Sequence, residues 1–415
     1  MRGDARPVIL GYDAVSPLGT VLDEQWQVAA DCGSGVGPLT RFPLREQFPV
    51  TIAGQVPSVD VGPYPFLRPR EMAQWTSPVF LHGMLVVHRA LERIGLSITP
   101  ELAPRVGVTF STAIGGLDAV LEADRQLSQQ GRLPKPFVNP NSCINMVGGK
   151  ISILTGAQGP ISTTITACAT GSTSMITGAL FLQAGMADVV ICGAVDFPLV
   201  EPIVAGFATM NGAYKHKPDD GDTPSRASRP FAQDRRGFVV SEGAACIVLA
   251  TREFADVHGL SYRFELAGWD TTADAFHFVA PNPVTVSRCV RGAIAHAGIA
   301  PSDVDSVNAH AASTRVGDKI EADILHEVFG SAIPPVVANK SQLGHLMGAS
   351  SAMESVLALE GMRRQVLLPT INHSPDPELP GLPLSLSCQC LEQEFVLKNA
   401  FGFGGCNACL VFRRV

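Results

Sequence analysis

Several times along this chain a short run of apolar and β-branched residues passes through a turn of small residues into a segment with helical periodicity. That alternation limits the possible folds more than any other feature. Residues 161–166 are rich in β-branched side chains, which suits a buried strand. They run into Ala167-Cys168-Ala169-Thr170-Gly171, and a helical pattern follows over 172–184. Residues 188–192 (DVVIC) read as a second short buried strand ending at Gly193. The second half repeats the style. A helix is predicted over 286–298, ending near Gly298, and a strand over 304–308, running into His310. Residues 317–330 form an amphipathic helix with Ile320, Ile324, Leu325 and Val328 on one side. A strand over 336–339 leads into Lys340 and a loop to His345, and 350–362 reads as helix. The chain ends strand, glycine loop, strand: FVLKNA, FGFGGCN, ACLVF. Strands alternating with helices predict an α/β architecture.

At 415 residues with 46% hydrophobic and 17% charged side chains, the chain can bury a large core and build two or three structural units. The polar stretch 251–262 is expected to join two halves, and the charged, proline-rich stretch 215–236 to form a long surface loop. A net charge of -7 argues against a nucleic-acid partner, because phosphate binding needs a basic face. No signal peptide and no membrane span are read: the most apolar stretch, 176–195, is interrupted by Gln183, Gly185 and Asp188. Ten cysteines without a secretory signal point to reduced thiols and a cytoplasmic protein.

Cys168 sits where a predicted strand meets the start of a predicted helix. There free amides and the helix dipole favour a thiolate, and the flanks Ala167, Ala169 and Gly171 leave room for a substrate. Taken alone, it divides between an inert buried thiol and a nucleophile. His310 and His345 each follow a short buried strand, where α/β enzymes gather reactive groups, although either alone also fits a structural role. A cysteine and two histidines in equivalent positions support acyl transfer. The segment NAFGFGGCNA, 399–408, is followed by a strand rather than a helix, so it is no phosphate-cradling loop. Its glycines instead let a backbone amide approach a reacting carbonyl oxygen. Cys388, Cys390, Cys406 and Cys409 have the paired spacing of a zinc site, but Cys388 and Cys390 lie in a predicted strand (LSLSCQC, 384–390) and Cys409 in an apolar one, and no metal is expected.

Taken together, these segments resemble the β-ketoacyl synthase family, most closely the elongating condensing enzymes of dissociated fatty-acid and polyketide systems. The resemblance covers nearly the whole chain. It runs through SPLG at 16–19, NPNSCINMVGGKISILTGAQGP at 139–160, TACATGS at 166–172 and SRPFAQDRRGFVVSEGAA at 228–245. It continues in DAFHFVAP at 274–281, NAHAASTRVGDKIEA at 308–322, NKSQLGHLMGASSAMES at 339–355 and NAFGFGGCNA at 399–408. It implies a thiolase-like fold of five layers, α-β-α-β-α, built from two similar halves, residues 1–255 with the nucleophile and 256–415 with the histidines. It also implies a dimer, in which residues 161–166 pair with their mate across the interface and so have no solvent edge.

The resemblance further implies a β-ketoacyl-acyl carrier protein synthase. Cys168 would take an acyl chain from acyl carrier protein, and His310 and His345 would stabilise the enolate formed as malonyl-carrier loses carbon dioxide. The Cys168 and Phe403 amides would form the oxyanion hole. Lys340 would organise the site by pairing with Glu321. Phe403 would gate the acyl tunnel, Ile114 would limit its depth, with Thr112 to Gly116 lining the same tunnel, and Thr314 and Gly404 would contact substrate. No cofactor is expected beyond the phosphopantetheine carried by the substrate. Arg68 and Arg70 match a basic docking helix for the acidic carrier, with Lys215, Lys217, Arg235 and Arg236 as weaker candidates.

The sequence departs from the family at Ala311-Ala312, usually Gly-Thr, at Cys406, usually threonine, at Cys409, often histidine, and in VILGYDAVSPLG. A second reading is the catalytic subunit of a type II polyketide or polyene synthase, paired with a chain-length factor, since such factors lack the cysteine. A thiolase would use a second cysteine as base, and starter-type ketosynthases use Cys-His-Asn, which His345 opposes. A carrier-binding scaffold without chemistry is opposed by the intact Cys168, His310 and His345.

Overall fold

In the computed structural model, which describes residues 6–216, 221–379 and 381–415, ten strands form one continuous sheet system with an internal symmetry. They are β1 (Val8–Val15), β2 (Val106–Ser111), β3 (Ile161–Ser162), β4 (Val189–Asp196), β5 (Gly243–Ala250), β6 (Phe264–Ala273), β7 (Ser306–Asn308), β8 (Val336–Val337), β9 (Phe395–Gly402) and β10 (Cys406–Arg414). The first half orders its strands β3-β2-β4-β5-β1 and the second β8-β7-β9-β10-β6. In each, the first three run parallel and the last two antiparallel. The halves meet where Val8 and Ile9 of β1 pair with Glu265 and Phe264 of β6.

Six helices complete the layers. α1 (Pro78–Ile94) and α2 (Met146–Thr155) cover the outer face of the first sheet, and α4 (Pro283–Ala297) and α5 (Arg315–Phe329) that of the second. Between the sheets lie α3 (Thr170–Gln183) and α6 (Ala349–Arg364). The sequence dictates this division. α6 is buried along its whole length to Met362, and its small residues (Ala349, Ser350, Ser351, Ala352) admit close neighbours. α4 instead has one apolar face, starts with Pro283 after a capping Asn282, and stops at Gly298. β5 (GAACIVLA) is buried throughout, as a central strand covered on both faces must be. Each large aliphatic side chain sealed there contributes about 1.5–3 kcal/mol. The result is the five-layer α-β-α-β-α arrangement of the thiolase-like fold.

Three expectations need correction. Only Ile161 and Ser162 of the 161–166 run join the ladder, and β3 is an edge strand paired with β2 alone. Ile161 is 50% and Ile165 42% exposed, because within one chain nothing covers that edge. The stretch 215–236 is not simply surface loop: Arg229 and Arg235 are buried, Arg229 against Asp222 and Asp234, Arg235 against Asp376 at 2.5 Å. Pairing is what makes their burial tolerable. The expected strand at 384–390 shrinks to the exposed pair Gln389–Cys390, laddered to Val366–Leu367. Between β5 and β6 the polar stretch folds as a short helix, Arg252–Val257, capped by Thr251. Among the described residues no helix is long and apolar enough to cross a membrane.

Candidate active site

The symmetry of the two sheets puts the reactive side chains together. The loops after β3 and β8 both lead into the central helices: Cys168 precedes α3, and Lys340 and His345 precede α6. The loop after β7 carries His310. All three loops leave the same ends of parallel strands, where α/β sheets place their sites.

Cys168 lies in a single 3-10 turn, Ala167–Ala169, entered through Ala167 at φ +48°. Few non-glycine residues hold that conformation, and it turns the following side chain sharply out of the strand. Two glycines allow the packing around the turn. A Cβ on Gly171 would lie 2.5 Å from Ala352 N of α6, and one on Gly402 2.3 Å from Thr166 O. That second approach brings the Phe403 amide to the Cys168 sulfur, next to the amide of Cys168 itself.

His345 Nε2 lies 3.0 Å from Cys168 Sγ. Its Nδ1 receives the backbone N–H of Met347 at 3.2 Å and contacts Ser350 Oγ at 2.8 Å. A backbone amide can only donate, so this network assigns the proton to Nε2, which therefore points an N–H at the sulfur. The His310 ring stands 5.8 Å from that of His345 at an interplanar angle of 81°. Burial, then Lys340, holds both imidazoles well below the usual histidine range, so both are neutral donors.

The expectation of a ready thiolate is corrected. Burial pushes the Cys168 thiol up to about 11, against the opposing pull of Lys340 and the Phe403 amide. Cys168 is 7% exposed, and desolvation of the anion outweighs those favourable fields. Alkylation of Cys168 by iodoacetamide should therefore quicken about tenfold per pH unit from about pH 7 to 9 without levelling off. A plateau below pH 8 would show a thiolate already formed.

Lys340 is sealed, at 1% exposure, but not against Glu321. Its Nζ contacts Glu354 Oε1 at 2.5 Å and donates to the His310 carbonyl at 2.5 Å. Glu321 is already filled by the N–H groups of His310 (2.9 Å) and Ala311 (2.7 Å) and by Asn399 Nδ2 (3.0 Å). The paired glutamate stands on α6, between the sheets, whereas Glu321 comes from the outer helix α5. Glu354 was visible as the one acidic residue of NKSQLGHLMGASSAMES, and Lys398, which also pairs with it, as a lysine inside an apolar strand.

Cys168, His310, His345, Ala312, Thr314 and Phe403 line a cavity of about 490 Å³. Ala312 thus gives the cavity wall a methyl group rather than a hydroxyl. The rim carries the exposed His277 and Arg315. Gly404 is exposed rather than on the cavity wall, and its N–H meets the Phe278 carbonyl at 2.8 Å. Ile114 does not line this cavity either. It packs with Phe403 against one apolar cluster that includes Met347 and Ala312. Asp196 ties the Ile114 segment to the histidine loop by accepting from Thr112 Oγ1, the amides of Ala113 and Ile114, and Gly348 N. Cys406 is half-buried outside the cavity, and Cys409 is buried beside Asn399.

Arg68 and Arg70 are exposed, but the helix they belong to is only a single turn, Pro69–Met72, with Arg68 at its N-cap and Arg70 within it, beside Lys150 and the exposed Ile153. Arg235, being buried, is removed from the docking candidates. Lys215 is half-buried against Asn211, Arg236 sits at the cavity rim bonded to Tyr214 and Asp222, and Lys217 lies outside the described residues.

The family model described as "Beta-ketoacyl synthase, N-terminal domain" matches residues 5–255, and the one described as "Beta-ketoacyl synthase, C-terminal domain" matches 263–374. The 3-oxoacyl-[acyl-carrier-protein] synthase 2 of Staphylococcus aureus (strain COL) is 34% identical over 421 residues, spanning 100% of this chain and 99% of that protein. A β-ketoacyl synthase from Burkholderia phymatum STM815 superposes with a TM-score of 0.91 at 26% identity, covering 99% of this chain and 100% of that one. The ishigamide ketosynthase/chain length factor does so with a TM-score of 0.89 at 27% identity, covering 100% of both chains. Both halves are matched in order, and the S. aureus protein aligns along its whole length, so the chain belongs to the β-ketoacyl synthase family.

Proposed function

We propose that this protein is a β-ketoacyl-acyl carrier protein synthase, joining a Cys168-bound acyl chain to the two-carbon unit of malonyl-carrier. The observation that carries the reading is the sulfur of Cys168 in a cavity with the neutral His345 N–H at 3.0 Å and His310 beside it. The Cys168 sulfur attacks the acyl thioester. A carbon–sulfur bond to Cys168 forms, the bond to the carrier breaks, and the thiol proton leaves with the carrier thiol. Malonyl-carrier then enters. As its carboxylate departs as carbon dioxide, the electron pair moves onto the thioester, and the two imidazole N–H groups hold the enolate oxygen. The enolate carbon attacks the acyl carbonyl, and the amides of Cys168 and Phe403 receive the oxyanion. Collapse releases 3-oxoacyl-carrier and the Cys168 thiolate, which is reprotonated from solvent.

Phe403 and Ile114 share one apolar cluster, which fits a phenylalanine that must swing aside before a long chain can pass toward Ile114. Thr314, on the cavity wall, and Gly404, in the exposed glycine turn, fit contacts to the pantetheine arm. That arm arrives on the carrier, and the reaction needs no other cofactor. All ten cysteines are free, in keeping with work in the reducing cytoplasm. Offering a panel of acyl-carriers with malonyl-carrier and weighing the products tests the reading. It predicts 3-oxoacyl products two carbons longer, and no condensation with any acyl-carrier would refute it.

The carrier is acidic, and Arg68 and Arg70 offer it exposed cations. Reversing both to glutamate should raise the carrier's KM several-fold with little change in kcat. An unchanged KM would remove them from the docking surface. The exposed β3 edge fits pairing with a second chain, either a copy or a chain-length factor, as the likeness to the ishigamide ketosynthase/chain length factor favours. Native mass after co-expression separates the two.

A further inference from the structure

β9 presents Val396 and Ala400 to the core between the sheets, and between them, on the same face, stands a lysine. Lys398 is 0% exposed. A buried ammonium is expensive unless its partners are well placed. Its Nζ lies 2.6 Å from Glu354 Oε2 and donates to the Asn399 carbonyl at 2.6 Å. From there two arms reach the backbone of the same residue. Through Glu354, the brace continues to Lys340 (2.5 Å), which donates to the carbonyl of His310 (2.5 Å). Through Asn399, whose Nδ2 donates to Glu321 (3.0 Å), it continues to the amide of His310 (2.9 Å). His310 is thus gripped at both its N–H and its C=O, and the two grips meet at Lys398.

We propose that Lys398 is a positioning residue for the decarboxylation half of the reaction. By joining both arms it fixes His310 against His345 and holds a second buried positive charge beneath the two imidazoles. The inference rests on the condensing role proposed above. The charged and titratable groups around the imidazoles are Lys340 and Glu354 from the central layer, Lys398 from β9, Glu321 from α5, Cys409 from β10, and Asp196 and Cys168 from the first half. Two lysines face two glutamates there; burial disfavours protonated histidine most, and Lys340 and Lys398 add to it for both imidazoles, with His345 also acting on His310. Removing one cation should let the imidazoles protonate at higher pH.

The test is Lys398→Met in the full-length protein, with the two half-reactions measured apart. One is acyl loading of Cys168 by mass. The other is carbon dioxide release from malonyl-carrier, followed over about pH 5 to 9. The expected result is a roughly 10- to 100-fold lower decarboxylation rate, an acid limb moved to higher pH, and acyl loading unchanged. Equal losses in both half-reactions with an unmoved pH profile, or no loss in either, would overturn the proposal. If Lys398→Met does not fold, Asn399→Ala cuts one arm while leaving the buried charges paired. It should slow decarboxylation selectively, and an unaffected rate would equally overturn the brace. The native protein run in parallel separates the two ideas: if it releases no carbon dioxide, the condensing role fails rather than the brace.

Discussion

Cys168→Ala should lower condensation by about 10⁴-fold or more and abolish the acyl mass shift of the protein, while leaving the fold intact. The side chain is the one thiol among the residues that line the cavity, where the other sulfur, the thioether of Met210, cannot take an acyl group in its place. The stability effect should be small, because the turn is shaped by its backbone. Thr170 Oγ1 bridges the Thr166 amide (3.0 Å) and the Ala167 carbonyl (2.7 Å), and Ala169 N bonds Thr166 O (3.0 Å). None of these involves the sulfur. Malonyl decarboxylation should persist in this variant, since the imidazoles that hold the enolate are untouched. Intact-protein mass and carbon dioxide release check both halves, and acyl transfer that survives in Cys168→Ala would locate the nucleophile elsewhere.

His310→Ala and His345→Ala should each slow decarboxylation by about 10²–10³-fold, the usual effect of removing one preorganised donor from a developing oxyanion. They should differ in acyl loading. His345 Nε2 touches the sulfur at 3.0 Å, whereas His310 faces the His345 ring at 5.8 Å between centroids, so only His345→Ala should also slow loading. Both imidazoles titrate well below the ordinary 6.5. The native rate should therefore stay flat from about pH 8 down to 6.5 and fall only below it. The linkage runs the same way for stability. The unfolded chain binds protons at these histidines near 6.5 while the folded one does not, so stability declines as pH drops through that value. A decarboxylation limb centred at 6.5 or above would contradict neutral, buried donors.

The strand-turn-helix around Cys168 and the stripe of α5 were legible because they are local. The first is a β-branched run stopped by small residues, and the second an apolar period whose Ile324, Leu325 and Val328 are indeed buried. What could not be read depends on which face of a sheet an element covers. Glu321 and Glu354 are both acidic residues on helices near the site, and only the layering shows that one is outside the second sheet and the other between the sheets. Lys398 stood out as a lysine inside an apolar strand, but its role was unreadable for the same reason: such a lysine reads as solvent-facing until its buried glutamate is in view. The run 161–166 was read as too long a strand because its threonines have a competing use. Thr164 and Thr166 meet Thr177 (3.2 Å) and Thr173 (2.8 Å) of α3 instead of extending the ladder. Arg235 looked like a docking cation because charge density marks loops, while its burial is a property of the folded chain. The thiol's resting state was misjudged similarly. The helix start was visible in the sequence, but the depth of the cavity, which decides the balance, was not.

The most direct measurement is an intact-mass pulse and chase. The protein is first incubated with acyl-carrier, the added mass is mapped by peptide, and malonyl-carrier is then supplied. The expected result is one acyl group on Cys168, discharged on the chase together with carbon dioxide and a 3-oxoacyl-carrier two carbons longer. An acyl group on any other residue, or one on Cys168 that malonyl-carrier does not remove, would contradict it.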